Sequence, residues 1–336
     1  MDRSKRWLII SLLISLGTLS AILTVIPETA VTKETFISLA NVKPQYLLLA
    51  IVFHLLAMVA WGMRIKVMCG AVGSKISFLD SMKVIIPSLF AACITPSKFG
   101  GEPVRIYLLN KKGISYGDAT AVVVGERLLD AVFLGIAMPI SLFIFKDYYN
   151  VVQLPVFIPA VIFFILLMSI LIYIVTKPEK IKNFSSRFAH FLRLDRYIDR
   201  IRTEIDDFHA SFWRFVREGK RSLSVGMVLT ALFWLLDLVI ASLILIGLGL
   251  NAKWIASLAA QVIMAVFITI PLTPGSSGIA ELGIASLYSV LMPASMLGVF
   301  TLTWRFVTYY INLIIGGSIG GVISFRILRD LESARD

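Results

Sequence analysis

Cysteine, histidine and charge are all scarce in this chain. Its 336 residues hold two cysteines, Cys69 and Cys93, and three histidines, His54, His190 and His209. That is no disulfide framework and no metal-ligand spacing, so neither a metal nor a cofactor is expected. The phosphate-loop pattern GxxxxGK[ST] is missing, which leaves downhill or ion-coupled movement rather than a nucleotide-driven pump. The apolar stretches contain no His–Glu helix motif, no paired-aspartate metal set and no Ser/His/Asp grouping. No catalytic residues are assigned and an enzyme is not expected. Mutual carboxylates can still act as acid and base, which leaves an intramembrane lipid- or glycan-transferring enzyme, or a membrane scaffold for one, as the alternative.

Charged residues make up only 16% of the chain and hydrophobic ones 58%, with a mean hydropathy of +0.86. A soluble domain has about 25% charged and 45–50% apolar residues. Several apolar runs exceed the roughly 18 residues that suggest a spanning helix, and they are continuous rather than alternating, which excludes a β-barrel. The net charge of +11 would suggest nucleic acid for a soluble protein. In a membrane protein, basic loops fix topology and meet anionic headgroups, so no nucleic-acid partner is expected. The run from Trp7 to Ile26 resembles a signal peptide, but it is long and Glu28 precedes the small residue Ala30, so it reads as an uncleaved anchor.

The expected fold is an all-α polytopic integral membrane protein forming a single membrane domain over 1–336. Full spans are expected at 7–26, 45–63, 117–145, 154–176, 222–249 and 296–325. Between them lie two interrupted segments, 78–112 and 254–291, read as re-entrant helical hairpins. Their second limbs, 102–112 and 278–291, would rise only about 16 and 21 Å, short of a bilayer core about 30 Å thick. Placing the N-terminus in the cytoplasm puts 23 Lys and Arg inside, Arg64 among them, and only Lys33, Lys43, Lys146 and Lys253 outside. The positive-inside rule therefore sets both termini in the cytoplasm and the chain as multi-pass in the cytoplasmic (inner) membrane. In that topology 45–145 and 222–325 form inverted repeats, the architecture expected of alternating access.

The interruptions carry the chemistry. One reads Thr95-Pro96, then Lys98, Gly100, Gly101 and Glu102; the other reads Thr273-Pro274-Gly275, then Gly278 and Glu281. An arginine follows each threonine after 32 residues, Arg127 and Arg305. Breaking a helix frees backbone N–H and C=O groups, tolerated in hydrocarbon only where protein or a polar cavity satisfies them. Ionisable groups inside spans cost about 2–3 kcal/mol or more each, so they face a partner or a cavity. These are Glu102, Arg105, Glu126, Arg127 and Asp130 in the first half, and Asp237, Glu281 and Arg305 in the second. They either staple the hairpins to the long spans, or they form with the half-helix N-termini around Gly100–Gly101 and Gly275–Gly278 an anion site for a phosphate, helped by Lys98. The expected activity is transport.

Residues 177–221 differ in character, with 12 basic and 7 acidic residues and an apolar seam from Phe191 to Phe215 at alternating steps of three and four. That is a cytoplasmic amphipathic helical segment, with Asp195 as a candidate cap at a break. It packs on its neighbour or on headgroups, or docks a protein partner.

The runs Thr-Pro-Ser-Lys-Phe-Gly-Gly-Glu-Pro-Val-Arg-Ile-Tyr-Leu-Leu (95–109), Gly-Glu-Arg-Leu-Leu-Asp (125–130) and Pro-Leu-Thr-Pro-Gly-Ser-Ser-Gly-Ile-Ala-Glu (271–281) resemble the flippase-like membrane domain family. That domain occurs in lysylphosphatidylglycerol synthases (multiple peptide resistance factor) and in stand-alone prokaryotic proteins. The likeness runs from about residue 5 to 328. It implies two re-entrant hairpins and a lipid transporter that moves an anionic or modified phospholipid, or a polyprenyl-phosphate-linked lipid, between leaflets. By motif position it carries over Glu102, Arg105, Glu126, Arg127, Asp130 and Glu281. The family's proline-glycine-glycine form appears as Pro274-Gly275-Ser276. The chain stops at Asp336, so lysine transfer from tRNA is not implied. The expected partners are membrane lipids with a phosphate headgroup; self-association stays open.

Overall fold

The computed structural model describes residues 42–95, 100–148, 162, 165, 166, 168–170, 172–191, 198–268, 273 and 275–320. The expected span 7–26, most of 154–176, and Pro96, Lys98 and Pro274 lie outside these. Among the described residues every regular element is helical: α1 Pro44–Ala71, α2 Phe78–Ile94, α3 Gly101–Asn110, α4 Tyr116–Phe145, α5 Pro178–Phe191, α6 Ile198–Glu218, α7 Lys220–Gly247, α8 Trp254–Phe267 and α9 Ile279–Tyr288. A last rod is built from α10 Ala294–Arg305, a π-helical turn Phe306–Tyr310, α11 Ile311–Ile315 and a second π turn Gly316–Gly320.

Among the described residues three helices, α1, α4 and α7, are long and apolar enough to cross a membrane. Their starts are written locally. Pro44 sits in the first turn of α1, and Ser115 caps α4 by accepting the Asp118 N–H at 3.0 Å. Along α4, Val132, Ile136, Ile140 and Phe143 share an exposed face, the wide apolar stripe a bilayer would cover. Glu126, Asp130, Leu134 and Met138, at steps of four, form the opposite, buried face.

Both interrupted segments are broken helix pairs, α2 with α3 and α8 with α9. Their limbs have 17, 10, 14 and 10 residues. At 1.5 Å per residue the longest rises about 25 Å, so no limb alone crosses a core of about 30 Å. Several backbone groups at the described edges of the breaks have protein partners. The Thr95 hydroxyl donates to the Ala91 carbonyl at 2.7 Å and accepts the Gly100 N–H at 2.9 Å, tying the end of α2 to the start of α3. In the second break the Thr273 hydroxyl donates to the Ser277 carbonyl, and the Ser276 hydroxyl to the Ile268 carbonyl. The Gly278 N–H donates to Glu281 Oε2 at 2.7 Å, the backbone arm of a capping box.

The two breaks touch. The Gly275 N–H donates to the Thr95 carbonyl at 2.9 Å, and the Tyr309 hydroxyl to the Cys93 carbonyl at 3.3 Å. The halves also interlock: α1 lies along α7, α4 packs on α8, and α11 with the final π turn packs on α2. The candidate cap Asp195 lies outside the described residues. Within the segment 177–221 the described residues form α5, α6 and the first residues of α7, and α5 packs on α6. Phe208 and Phe212 of its seam are buried with Val122 of α4 and Ile65 of α1, so that part of the seam serves internal packing.

Gly275 is the residue that lets the breaks meet. Its φ is +56°, and a Cβ there would stand 2.5 Å from the Cys93 carbonyl oxygen. Gly275→Ala is therefore expected to destabilise the chain by on the order of 2 kcal/mol through strain and overpacking. The measurement is a thermal melt of detergent-purified protein, and an unchanged midpoint would contradict this contact.

Candidate functional site

A cavity of about 310 Å³ lies where α1, α3, α4, α7, α8 and the last rod converge. One wall carries Trp61, Arg64, Glu102, Arg105, Arg127 and Asp130; the other carries Trp234, Asp237, Gln261, Trp304, Arg305 and Asn312. Ionisable side chains and indoles face each other across it, each backed by apolar packing.

The first wall is organised by Arg64. Its Nε donates to Glu126 Oε1 at 3.0 Å, and its Nη1 to Asp130 Oδ1 at 2.7 Å and to the Thr230 hydroxyl at 3.1 Å. Arg105 Nη1 donates to the other Glu126 oxygen at 2.9 Å, and the Trp61 indole donates to Oε1 at 2.8 Å. Asp130 also receives the Trp234 indole N–H at 3.1 Å. Arg64 is 1% exposed and Glu126 0%. Charges so enclosed persist only when paired and hydrogen-bonded. The spacing of four between Glu126 and Asp130 puts both carboxylates on one face of α4, where a single guanidinium spans them.

Arg127 is held differently. Its side chain is 36% exposed, onto the cavity, and its nearest carboxylate oxygens are Glu102 Oε1 at 3.4 Å and Asp130 Oδ2 at 3.2 Å. Neither Arg127 Nε nor Glu102 Oε2 has a hydrogen-bond partner among the described residues. A cation with slack pairing on a cavity wall is the one a ligand can claim.

The second wall repeats the pairing of motif glutamate with distant arginine. Arg305 Nε donates to Glu281 Oε1 at 2.9 Å and Nη2 to the Ser277 hydroxyl at 3.0 Å, while the guanidinium lies 4.1 Å from the centre of the Tyr309 ring. Arg127 meets Glu102 in the same way in the first half. The equal spacing of 32 residues thus corresponds to the same partnership twice.

The expected backbone cradle is altered. The N–H groups of Gly100, Gly275, Ser276 and Gly278 already have acceptors in the Thr95 hydroxyl, the Thr95 carbonyl, the Thr273 carbonyl and Glu281. The side chains, more than the half-helix ends, face the cavity. Thr95 and Thr273 seal the breaks rather than line it.

A family profile described as the lysylphosphatidylglycerol synthase TM region matches residues 8–316. The chain belongs to that family. Its relatives include a UPF0104 membrane protein of Archaeoglobus fulgidus, 31% identical over 268 residues, covering 76% of this chain and 80% of that protein. UPF0104 membrane proteins of Methanocaldococcus jannaschii and Pyrococcus horikoshii are 27% and 24% identical, covering 83% and 81% of this chain and 84% and 85% of theirs. The chain is a multi-pass membrane protein of the synthase TM-region family, and a lipid-related membrane role fits it.

Sequence reasoning missed the centre of this site. The expected inside count of 23 takes Arg64 as a cytoplasmic loop charge; Arg64 is instead buried on α1, which continues to Ala71, so that expected count falls to 22. The signal available was helical phase: Trp61 and Arg64 are three apart, on one face of α1. His54 and Asn312 were also passed over. Arg64→Ala is expected to remove about 3–5 kcal/mol of stability by leaving Glu126 and Asp130 buried with too few cations. Replacing Asp130 by Asn in the same chain should recover part of that loss. Thermal melts of the single and double variants check this, and a single variant as stable as the parent would remove Arg64 from the centre.

Proposed function

We propose that this member of the synthase TM-region family moves a lipid with a phosphate-bearing headgroup between the leaflets of the cytoplasmic membrane. The headgroup occupies the cavity between the two broken helix pairs while the acyl or prenyl chains stay in the bilayer. One observation carries this reading: Arg127 faces a cavity of about 310 Å³ with long ion pairs and an Nε that has no hydrogen-bond partner among the described residues. A phosphate offers that guanidinium the bidentate partner that Glu102 and Asp130 do not.

The charge balance of the first wall sets the mechanism. Three guanidiniums, of Arg64, Arg105 and Arg127, face three carboxylates, of Glu102, Glu126 and Asp130. An arriving anion therefore competes with a carboxylate instead of filling a positive void. Binding is exchange, and the displaced Glu102 would be free to move α3, whose first turn it occupies. That couples headgroup contact to a broken helix, the element expected to rearrange in alternating access. The matched pair Glu281–Arg305 in the second half, the interlocked packing of the halves and the short limbs support the reading as inverted repeats with re-entrant hairpins, both termini being cytoplasmic.

The test uses the purified chain in vesicles containing fluorescent phosphatidylglycerol, with a membrane-impermeant quencher reporting the exposed leaflet. The parent should expose the inner-leaflet probe. Arg127→Gln should slow that by about tenfold or more, from loss of a charged hydrogen bond of about 1.5–3 kcal/mol, while melting like the parent. Equal rates would remove Arg127 from the pathway. A chemically altered lipid by mass spectrometry would move the assignment to a transferase.

A further inference from the structure

We infer that His54 and Asp237 form a proton-binding site on the cavity wall, separate from the arginine network. His54 lies on α1 and is 6% exposed; Asp237 lies on α7 and lines the same cavity. The geometry fixes the tautomer. Asn312 uses its amide nitrogen to donate to the Thr308 carbonyl at 2.8 Å, so its Oδ1 points the other way. That oxygen lies 2.9 Å from His54 Nε2 and can only accept, so Nε2 carries the hydrogen of a neutral imidazole. Nδ1 is then a bare lone pair. It is buried without a hydrogen-bond partner among the described residues, and it stands 4.0 Å from Asp237 Oδ1.

A lone pair beside a carboxylate is a mismatch that one proton corrects. Delivered by hydronium that reaches the cavity, the proton adds to Nδ1, the imidazole becomes imidazolium, and its charge stands 4.0 Å from the carboxylate oxygen as an ion pair. No other bond changes. The Nε2–H bond to Asn312 survives in both forms. The protonated site therefore clamps three elements, α1, α7 and α11, where the neutral one joins only α1 to α11.

The other charged groups on the wall do not compete for this role. Asp130 and Arg127 on α4, Arg64 on α1, Glu102 and Arg105 on α3, and Arg305 at the end of α10 are engaged in the ion pairs already described. From α2 the cavity receives only Leu89 and Ala92. The tie between α1 and α7 is the seam between the halves, so proton uptake biases how they sit on each other. Its use as the coupling ion rests on the transport reading; the site itself does not.

Imidazole nitrogen NMR of the full chain in lipid nanodiscs tests it without a transport assay, with His190→Gln and His209→Gln assigning the remaining signal to His54. At alkaline pH His54 should show a protonated Nε2 and an unprotonated Nδ1. Acidification should convert Nδ1 to N–H, and Asp237→Asn should make that conversion need more acid. An alkaline form protonated on Nδ1, or a His54 signal unchanged until the protein unfolds, would overturn the site. Identical titration of Asp237→Asn and parent would remove Asp237 from it. Because the readout is spectroscopic, its failure leaves the lipid-movement assay of Arg127→Gln untouched, and the reverse holds too.

Discussion

A guanidinium that cannot reach water must have its carboxylates brought to it. Arg64 on α1 is in that position, and much of the first half follows. It sets α4 in the rotation that turns Glu126 and Asp130 inward, and Glu126 in turn holds α3 through Arg105. Truncating a partner in such a network costs far more than forming it gains, because the remaining charge is left without solvent. The network thus fixes the relative placement of α1, α3 and α4 more sharply than apolar packing alone, which tolerates small slips between similar side chains.

Against that tight core the cavity-facing pair Glu102–Arg127 is loose. Distances of 2.7–3.0 Å from Arg64 to its carboxylates give way to 3.2–3.4 Å from Arg127 to its own. The division assigns stability to the enclosed ion pairs and function to the pair exposed to the cavity. Both breaks follow a related logic. Among the described residues their threonines and serines satisfy backbone groups that the interruptions release, which leaves side chains to meet a ligand. Direct contact of Gly275 with Thr95 joins the two interruptions, and a shift in one is felt in the other.

Much of this was legible in the sequence, for reasons that can be named. The long helices follow from apolar runs. The breaks follow from Thr-Pro and Gly standing close together, since each favours a helix end, whereas the lone Pro87 and Pro139 are carried inside α2 and α4. The partnership of each motif glutamate with an arginine 32 residues past its threonine was visible as spacing, though only packing could show contact. Arg64 was not legible, since a run of hydropathy ends at its first cation and the partners that admit Arg64 lie 62 and 66 residues away. Arg105 lies three residues from Glu102, yet its guanidinium reaches Glu126 on another helix, a partnership that sequence proximity does not show. His54 carried no local signal at all, because what marks it is the orientation of Asn312, 258 residues on.

The central claim is that these charges ring a chamber that water can enter between two interrupted helix pairs. Thiol accessibility tests it directly, in a chain whose buried Cys69 and Cys93 are replaced. Ala131→Cys places a thiol on the cavity wall, and Ile136→Cys places one on the outward apolar face of α4. A membrane-impermeant reagent should modify the first and spare the second in sealed vesicles. An inert thiol at 131 from both sides of the membrane would contradict the account.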